Sequence, residues 1–173
     1  MPYIGSYVWK IRKKVGHDLL VLPSVDIIAV REDGALMMVY NKDFAIWVFP
    51  GGYVEESQNS EMAAVRELRE EAGLETSVED LIPFAYQSGH EAHYKNGDIT
   101  QPFTQTYLTK KFRDTCEKLD EAEVASRKWF LPDKIREMKL EARITKILEA
   151  YEEFSRTGKY QIIHPKEKND SRD

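Results

Sequence analysis

Apolar residues recur at two different periods along these 173 residues, and the switches between them mark the elements. Ile4, Tyr7, Val8, Ile11 and Val15 fall at helical spacing and predict a helix over residues 3–15, stopped by Gly16. Lys10, Arg12, Lys13 and Lys14 lie between them and read as its solvated face. The period then shortens. Val25–Val30 is rich in β-branched residues, Asp33-Gly34 is a turn signal, and Leu36–Tyr40 reads as the partner strand. Phe44–Phe49 predicts a third strand that ends at Pro50-Gly51-Gly52. Later in the chain, Val78–Tyr86 reads as loop and strand, Thr100–Thr109 as a strand and Ala125–Phe130 as a short strand. Between them lie a polar stretch, Gly89–Gly97, and a charged loop, Phe112–Glu123. The first reads either as a mobile substrate loop or as an ordinary hairpin. Pro132 suits the first turn of a helix over Asp133–Met138. Ile144, Ile147, Leu148, Tyr151 and Phe154 predict an amphipathic helix over 141–156.

One further segment is helical but not simply amphipathic. Ala64, Leu68 and Ala72 form an apolar stripe at spacing 4 with Val65 beside it, and Gly73 offers a left-handed stop. Glu67, Glu70 and Glu71 stand at relative positions 0, 3 and 4, which share one helix face. Like charges so placed repel by about 0.2–0.5 kcal/mol per i,i+4 pair. A hard divalent cation that takes oxygen ligands turns that repulsion into a site. Ala63 falls among the glutamates, where its small side chain is expected to leave room for a ligand. The plain alternative is a solvated acidic face. The glycine pair before the helix, Arg66 among the acids and the glycine stop favour the site.

The run from Gly52 to Leu74 resembles the Nudix box: G, five residues, E, seven residues, then R-E-U-x-E-E-x-G-U, with U a bulky aliphatic. Gly52, Arg66, Glu67, Leu68, Glu70, Glu71, Gly73 and Leu74 are in register, and Gln58 stands where the pattern has glutamate. Weaker similarity in element order extends over about residues 24–140. The resemblance implies a single Nudix domain over residues 1–163, an α/β/α sandwich with a mixed central sheet. Residues 1–17 would form an N-terminal helical extension, and residues 164–173, charged and poor in apolar side chains, a disordered tail.

The resemblance also implies chemistry. A diphosphate linkage carries oxygens that repel a nucleophile; Mg2+ or Mn2+ neutralises them and lowers the pKa of bound water. Matching family positions would place the metal on Glu67, Glu70, Glu71 and the Gly51 carbonyl. The implied reaction is hydrolysis of a diphosphate linkage in a nucleoside diphosphate derivative, either a nucleoside triphosphate or an ADP-ribose-like substrate. A non-catalytic nucleotide-binding sensor is the alternative. Glu67 or Glu70, or Glu121 or Glu123 in the later loop, would deprotonate the attacking water. Gly52, Tyr53, Tyr86 and Tyr94 are candidate substrate contacts, the tyrosines by stacking, and Phe84 is another aromatic of that region. Gln58 cannot form an ion pair with Arg66, but its amide oxygen can accept a hydrogen bond; Glu55 or Glu56 could take over the charged role.

Composition narrows the partners. Net charge is −5, with 30 acidic against 25 basic residues, which argues against a nucleic-acid polymer as partner. Cys116 is the single cysteine, so no intramolecular disulfide forms, and no Cys-His pair makes it a nucleophile. No apolar run is long enough for a bilayer or a secretory leader, so no membrane partner and a cytoplasmic location are expected. The resemblance adds the expectation of a homodimer, with the N-terminal helix as candidate interface.

Overall fold

The structure is a computed structural model that describes residues 4–88, 91–115, 124–138 and 140–164. The elements, in chain order, begin with α1 (Tyr7–Val15), β1 (Leu20–Ala29), β2 (Leu36–Asn41), β3 (Ile46–Val48), β4 (Gly51–Tyr53) and α2 (Ser60–Ala72). They continue with β5 (Leu74–Glu75), β6 (Ile82–Gln87), β7 (Ala92–His93), β8 (Ile99–Thr109), β9 (Arg113–Asp114) and β10 (Val124–Phe130). The chain then forms α3 (Pro132–Glu137), α4 (Ala142–Thr157) and β11 (Gln161–Ile163).

Strand β1 organises the sheet. It pairs in parallel with β8 from Leu20–Thr100 to Ala29–Thr109, and antiparallel with β4 through Ser24–Tyr53 and Asp26–Gly51. The main sheet runs β11-β6-β8-β1-β4, with β7 added to β8. Parallel and antiparallel pairs coexist, so the sheet is mixed. A second sheet, β10-β2-β3, packs beside it, and β5 pairs with β9. Because successive strand residues face opposite sides, β1 serves two cores. Val25, Ile27 and Ala29 pack with Ala64, Leu68 and Ala72 of α2. Ile28 and Val30 pack with Ile144, Ile147 and Leu148 of α4. Helices on both faces of a mixed sheet make the α/β/α sandwich.

Several boundaries differ from those the sequence predicts, each for a local reason. Strand β1 starts five residues before Val25; Pro23 interrupts the pattern, yet its carbonyl accepts Val54 N–H and its neighbours keep the β8 register. The Asp33-Gly34 turn forms, with Gly34 at φ 82° and a Val30–Leu36 bridge, but its two strands continue into different sheets. The predicted strand over Phe44–Phe49 shrinks to Ile46–Val48 because Ala45 takes φ 57°, which ends extended backbone. Helix α1 starts at Tyr7, after Gly5 at φ 101° and the Ser6 cap. Strands β5, β9 and β11 span two or three residues each, too short for periodicity to register. Most of the charged loop, 116–123, and the segment 165–173 lie outside the described residues. Among the described residues no helix is long and apolar enough to cross a membrane.

Candidate active site

Helix α2 begins on Asn59, whose side chain accepts Met62 N–H at 2.8 Å, and ends on Gly73 at φ 61°. Its apolar stripe is as predicted: Ala64, Leu68 and Ala72 are fully buried. Ala63 is a correction. It is fully buried in the same core and leaves no room for a ligand. Its role is closeness, since alanines let the helix lie low against the sheet.

That closeness sets the site. Gly51 N–H donates to Glu71 Oε2 at 2.9 Å. The β1 ladder bond beside it runs from Ile27 N–H to Pro50 O, so Gly51 turns its N–H, and with it its carbonyl, away from β1 and toward α2. A Cβ on Gly51 would meet Val25 O at 2.3 Å, and one on Gly52 would meet Glu67 Oε1 at 2.2 Å. Backbone excludes a side chain at Gly51, and at Gly52 a side chain would have to displace the Glu67 carboxylate. Gly52 thus forms a cradle filled by the Glu67 carboxylate.

The three glutamates do not share one environment. Glu67 and Glu71 are 6% and 3% exposed, whereas Glu70 is exposed. Helical geometry explains the split: positions 67 and 71 are about 40° apart, while 70 and 71 are about 100° apart. Arg66 lies between them, with Nη2 2.8 Å from Glu67 Oε1 and Nη1 2.8 Å from Glu70 Oε2. Burial works against the Arg66 charge, but Glu67 and Glu70 outweigh it and raise its pKa. Among the described residues no three acidic, histidine or cysteine side chains converge as a ready ligand cluster. The expectation of three carboxylates pointing the same way is therefore corrected: Arg66 draws Glu70 outward. The donor set still suits a hard cation, because all three line one cavity with Gly51 and two are already held out of water.

Arg66 also fixes the loop before the helix, donating to the Tyr53 carbonyl at 2.9 Å. Gln58 takes a weaker part. Its Oε1 accepts Glu55 N–H at 3.2 Å and lies 3.4 Å from Arg66 Nε.

The cavity holds about 540 Å³. Its walls include the α2 carboxylates, Phe44, Tyr53 and Tyr94, the pair Asp26 and Arg143, and Ser6, Val8 and Arg12 from α1 and its cap. Tyr53 Oη lies 2.7 Å from Thr100 Oγ1 and 3.1 Å from Tyr94 Oη, and the Phe44 and Tyr94 rings sit 5.2 Å apart. Burial, then the neighbouring Tyr53, pushes the Tyr94 phenol upward, so it stays a neutral hydroxyl. Tyr86 is placed elsewhere: it is not among the cavity-lining residues and pairs with Phe103 on the sheet, with ring centroids 6.5 Å apart. Phe84 is fully buried in the α4 core. Glu121, Glu123, His90 and Cys116 lie outside the described residues.

Two cavity residues escape a reading of the sequence by motif. Asp26 is 3% exposed on β1, and Arg143 Nη2 donates to its Oδ1 at 2.6 Å. Burial raises the Asp26 pKa, and Arg143 opposes the rise. A charge inside the apolar run Val25-Asp26-Ile27-Ile28 is the signal that could have found it.

Comparison with known proteins identifies the family and the fold. The family model described as NUDIX domain matches residues 21–151. A MutT-like protein of Streptomyces ambofaciens is 28% identical over 127 residues, covering 73% of this chain and 75% of the relative. An RNA pyrophosphohydrolase of Hydrogenovibrio crunogenus is 42% identical over 55 residues, 32% of this chain and 33% of the relative. The crystal structure of a MutT protein from Bacillus halodurans shares the fold with a TM-score of 0.64 at 16% identity, covering 83% of this chain and 89% of that one. With the box in register, its helix on the cavity wall and the family model spanning most of the sequence, the chain belongs to the Nudix hydrolase family.

Proposed function

We propose that this protein hydrolyses a diphosphate linkage in a small nucleotide derivative, a nucleoside triphosphate or an ADP-ribose-like compound, with Mg2+ or Mn2+. The observation that carries the reading is the joint placement of Glu67, Glu70, Glu71 and Gly51 on one cavity beside the Gly52 cradle. When bound, the metal would supply charge neutralisation and an activated water. Glu67, Glu71 and the Gly51 carbonyl would hold it, with Glu70 joining once released from Arg66. Glu67 and Glu70 are the described candidates for the base. Arg66 keeps the Gly52–Tyr53 backbone against the helix through the Tyr53 carbonyl. Tyr53, Tyr94 and Phe44 offer an aromatic wall for a base, and the cavity volume suits one nucleotide-sized ligand.

The test is a hydrolysis panel of nucleoside triphosphates, nucleoside diphosphate sugars, ADP-ribose and dinucleoside polyphosphates with Mg2+, repeated after chelation. Turnover of at least one member that chelation abolishes is the expected result. Tight binding of a panel member with no turnover of any would replace this reading with that of a nucleotide-binding sensor.

A further inference from the structure

The first helix lies before residue 21, outside the region that matches the family model. It nevertheless touches two walls of the cavity. At its N-terminus, Tyr7 N–H donates to Glu55 Oε2 at 2.7 Å, and Lys10 pairs with Glu56. On its inner side Arg12, with a side chain 9% exposed, donates to Ile99 O at 2.6 Å and lies 3.4 Å from Asp98 Oδ1. Asp98 belongs to the turn after β7, whose Tyr94 closes the circuit on Tyr53. Helix α1 therefore joins the loop between β4 and α2 to the hairpin that faces it.

The loop needs that support. Ser57 stands at φ 65°, in left-handed backbone that a side chain disfavours. Gln58 carries no charge to set against Arg66 and reaches it at 3.4 Å. Beside the Arg66–Tyr53 bond at its start, the loop has a short contact from α1, where a carboxylate meets a first-turn amide and the positive end of the helix.

We propose that Glu55, docked on the N-terminus of α1, is a positioning residue of the site: α1 takes over the loop-holding that Gln58 performs weakly. The inference rests on the hydrolase reading for its kinetic consequence, but not for its structural one.

Tyr7 is the first helical residue, where proline is tolerated, and Ser6 already has the extended backbone that a following proline requires. Tyr7→Pro removes the N–H while Tyr7→Ala keeps it. Both lose the ring, so their difference isolates the bond. Amide hydrogen exchange over residues 54–58 is expected to be at least about fivefold faster in Tyr7→Pro than in Tyr7→Ala at equal Tm. On the panel member that is turned over, kcat is expected to fall at least about fivefold further in Tyr7→Pro, with KM changed less. Adding Gln58→Glu to Tyr7→Pro is expected to restore most of that difference. Equal exchange in the two variants, or no restoration by Gln58→Glu of exchange and rate alike, would overturn the proposal. Exchange is read without substrate. A clear exchange difference in a protein that turns over nothing would therefore break the hydrolase reading and leave the α1 contact standing.

Discussion

Helices α2 and α4 cover opposite faces of one sheet with different materials. Helix α4 buries Ile144, Ile147, Leu148 and Tyr151. Helix α2 buries Ala63, Ala64, Leu68 and Ala72, and with them two carboxylates, Glu67 and Glu71. Large aliphatics give α4 apolar area, at roughly 25 cal/mol for each Å² taken from water. Alanines give α2 less area but a shorter distance to the sheet. At that distance, Gly51 N–H reaches Glu71 and the Glu67 carboxylate fills the space beside Gly52. The two helices divide the labour unevenly: α4 contributes mainly apolar burial, with only Arg143 of its first turn reaching the cavity, and α2 gives up part of that burial to place carboxylates.

The comparison breaks most directly at Glu67. Glu67→Gln should lower kcat by on the order of 10²–10⁴-fold with only a slight fall in Tm, since the amide oxygen can still accept from Arg66, which keeps its pair with Glu70. Steady-state kinetics beside a thermal melt would show it. Its counterpart on α4, Ile147→Ala, should lose about 2–5 kcal/mol in a denaturant melt. The folded fraction of that variant should keep a kcat within about twofold of the parent, because its cavity walls are intact. A comparable kcat loss in Ile147→Ala would end the division between the helices.

Gly52→Ala tests the cradle, because the new methyl must displace the Glu67 carboxylate. A kcat loss of about 10²-fold is expected, the scale of an ångström-level misplacement. Ala64→Leu asks whether closeness itself matters. Overpacking should cost about 1–3 kcal/mol of stability, and kcat should fall with it as α2 rides off the sheet. Stability loss with full activity would show that the distance is unimportant. The smallest effect belongs to Gln58→Glu. An ion pair in place of a 3.4 Å contact with Arg66 should raise turnover about two- to fivefold and Tm slightly. No gain in either would remove position 58 from the loop-holding role.

Much of this architecture is legible in the amino-acid sequence. The α2 stripe, the α4 stripe, the glycine stop at Gly73 and most strands follow from periodicity, which is local. Boundaries depart from it where an isolated backbone angle overrides propensity, as at Ala45 with φ 57°, or where a strand is too short to show a period, as at Gln161–Ile163. At the site, spacing identifies the glutamates but cannot distinguish them. That Glu71 takes Gly51 N–H depends on what the rest of the chain brings alongside, whereas the Glu70–Arg66 pair is an i,i+4 contact within the helix. Tyr86 shows the converse: its aromatic character makes it a candidate, and β6 carries it to Phe103 on the sheet instead.

The sequence by itself determined that α2 forms, which stripe of it packs, and that carboxylates run alongside that stripe, because helix geometry fixes these from neighbour to neighbour. The tertiary structure alone decided how deeply each carboxylate is buried, that Asp26 and Arg143 share the cavity, and that α1 holds the loop through Glu55. Those contacts join residues 48 to 117 positions apart, and no local period encodes them.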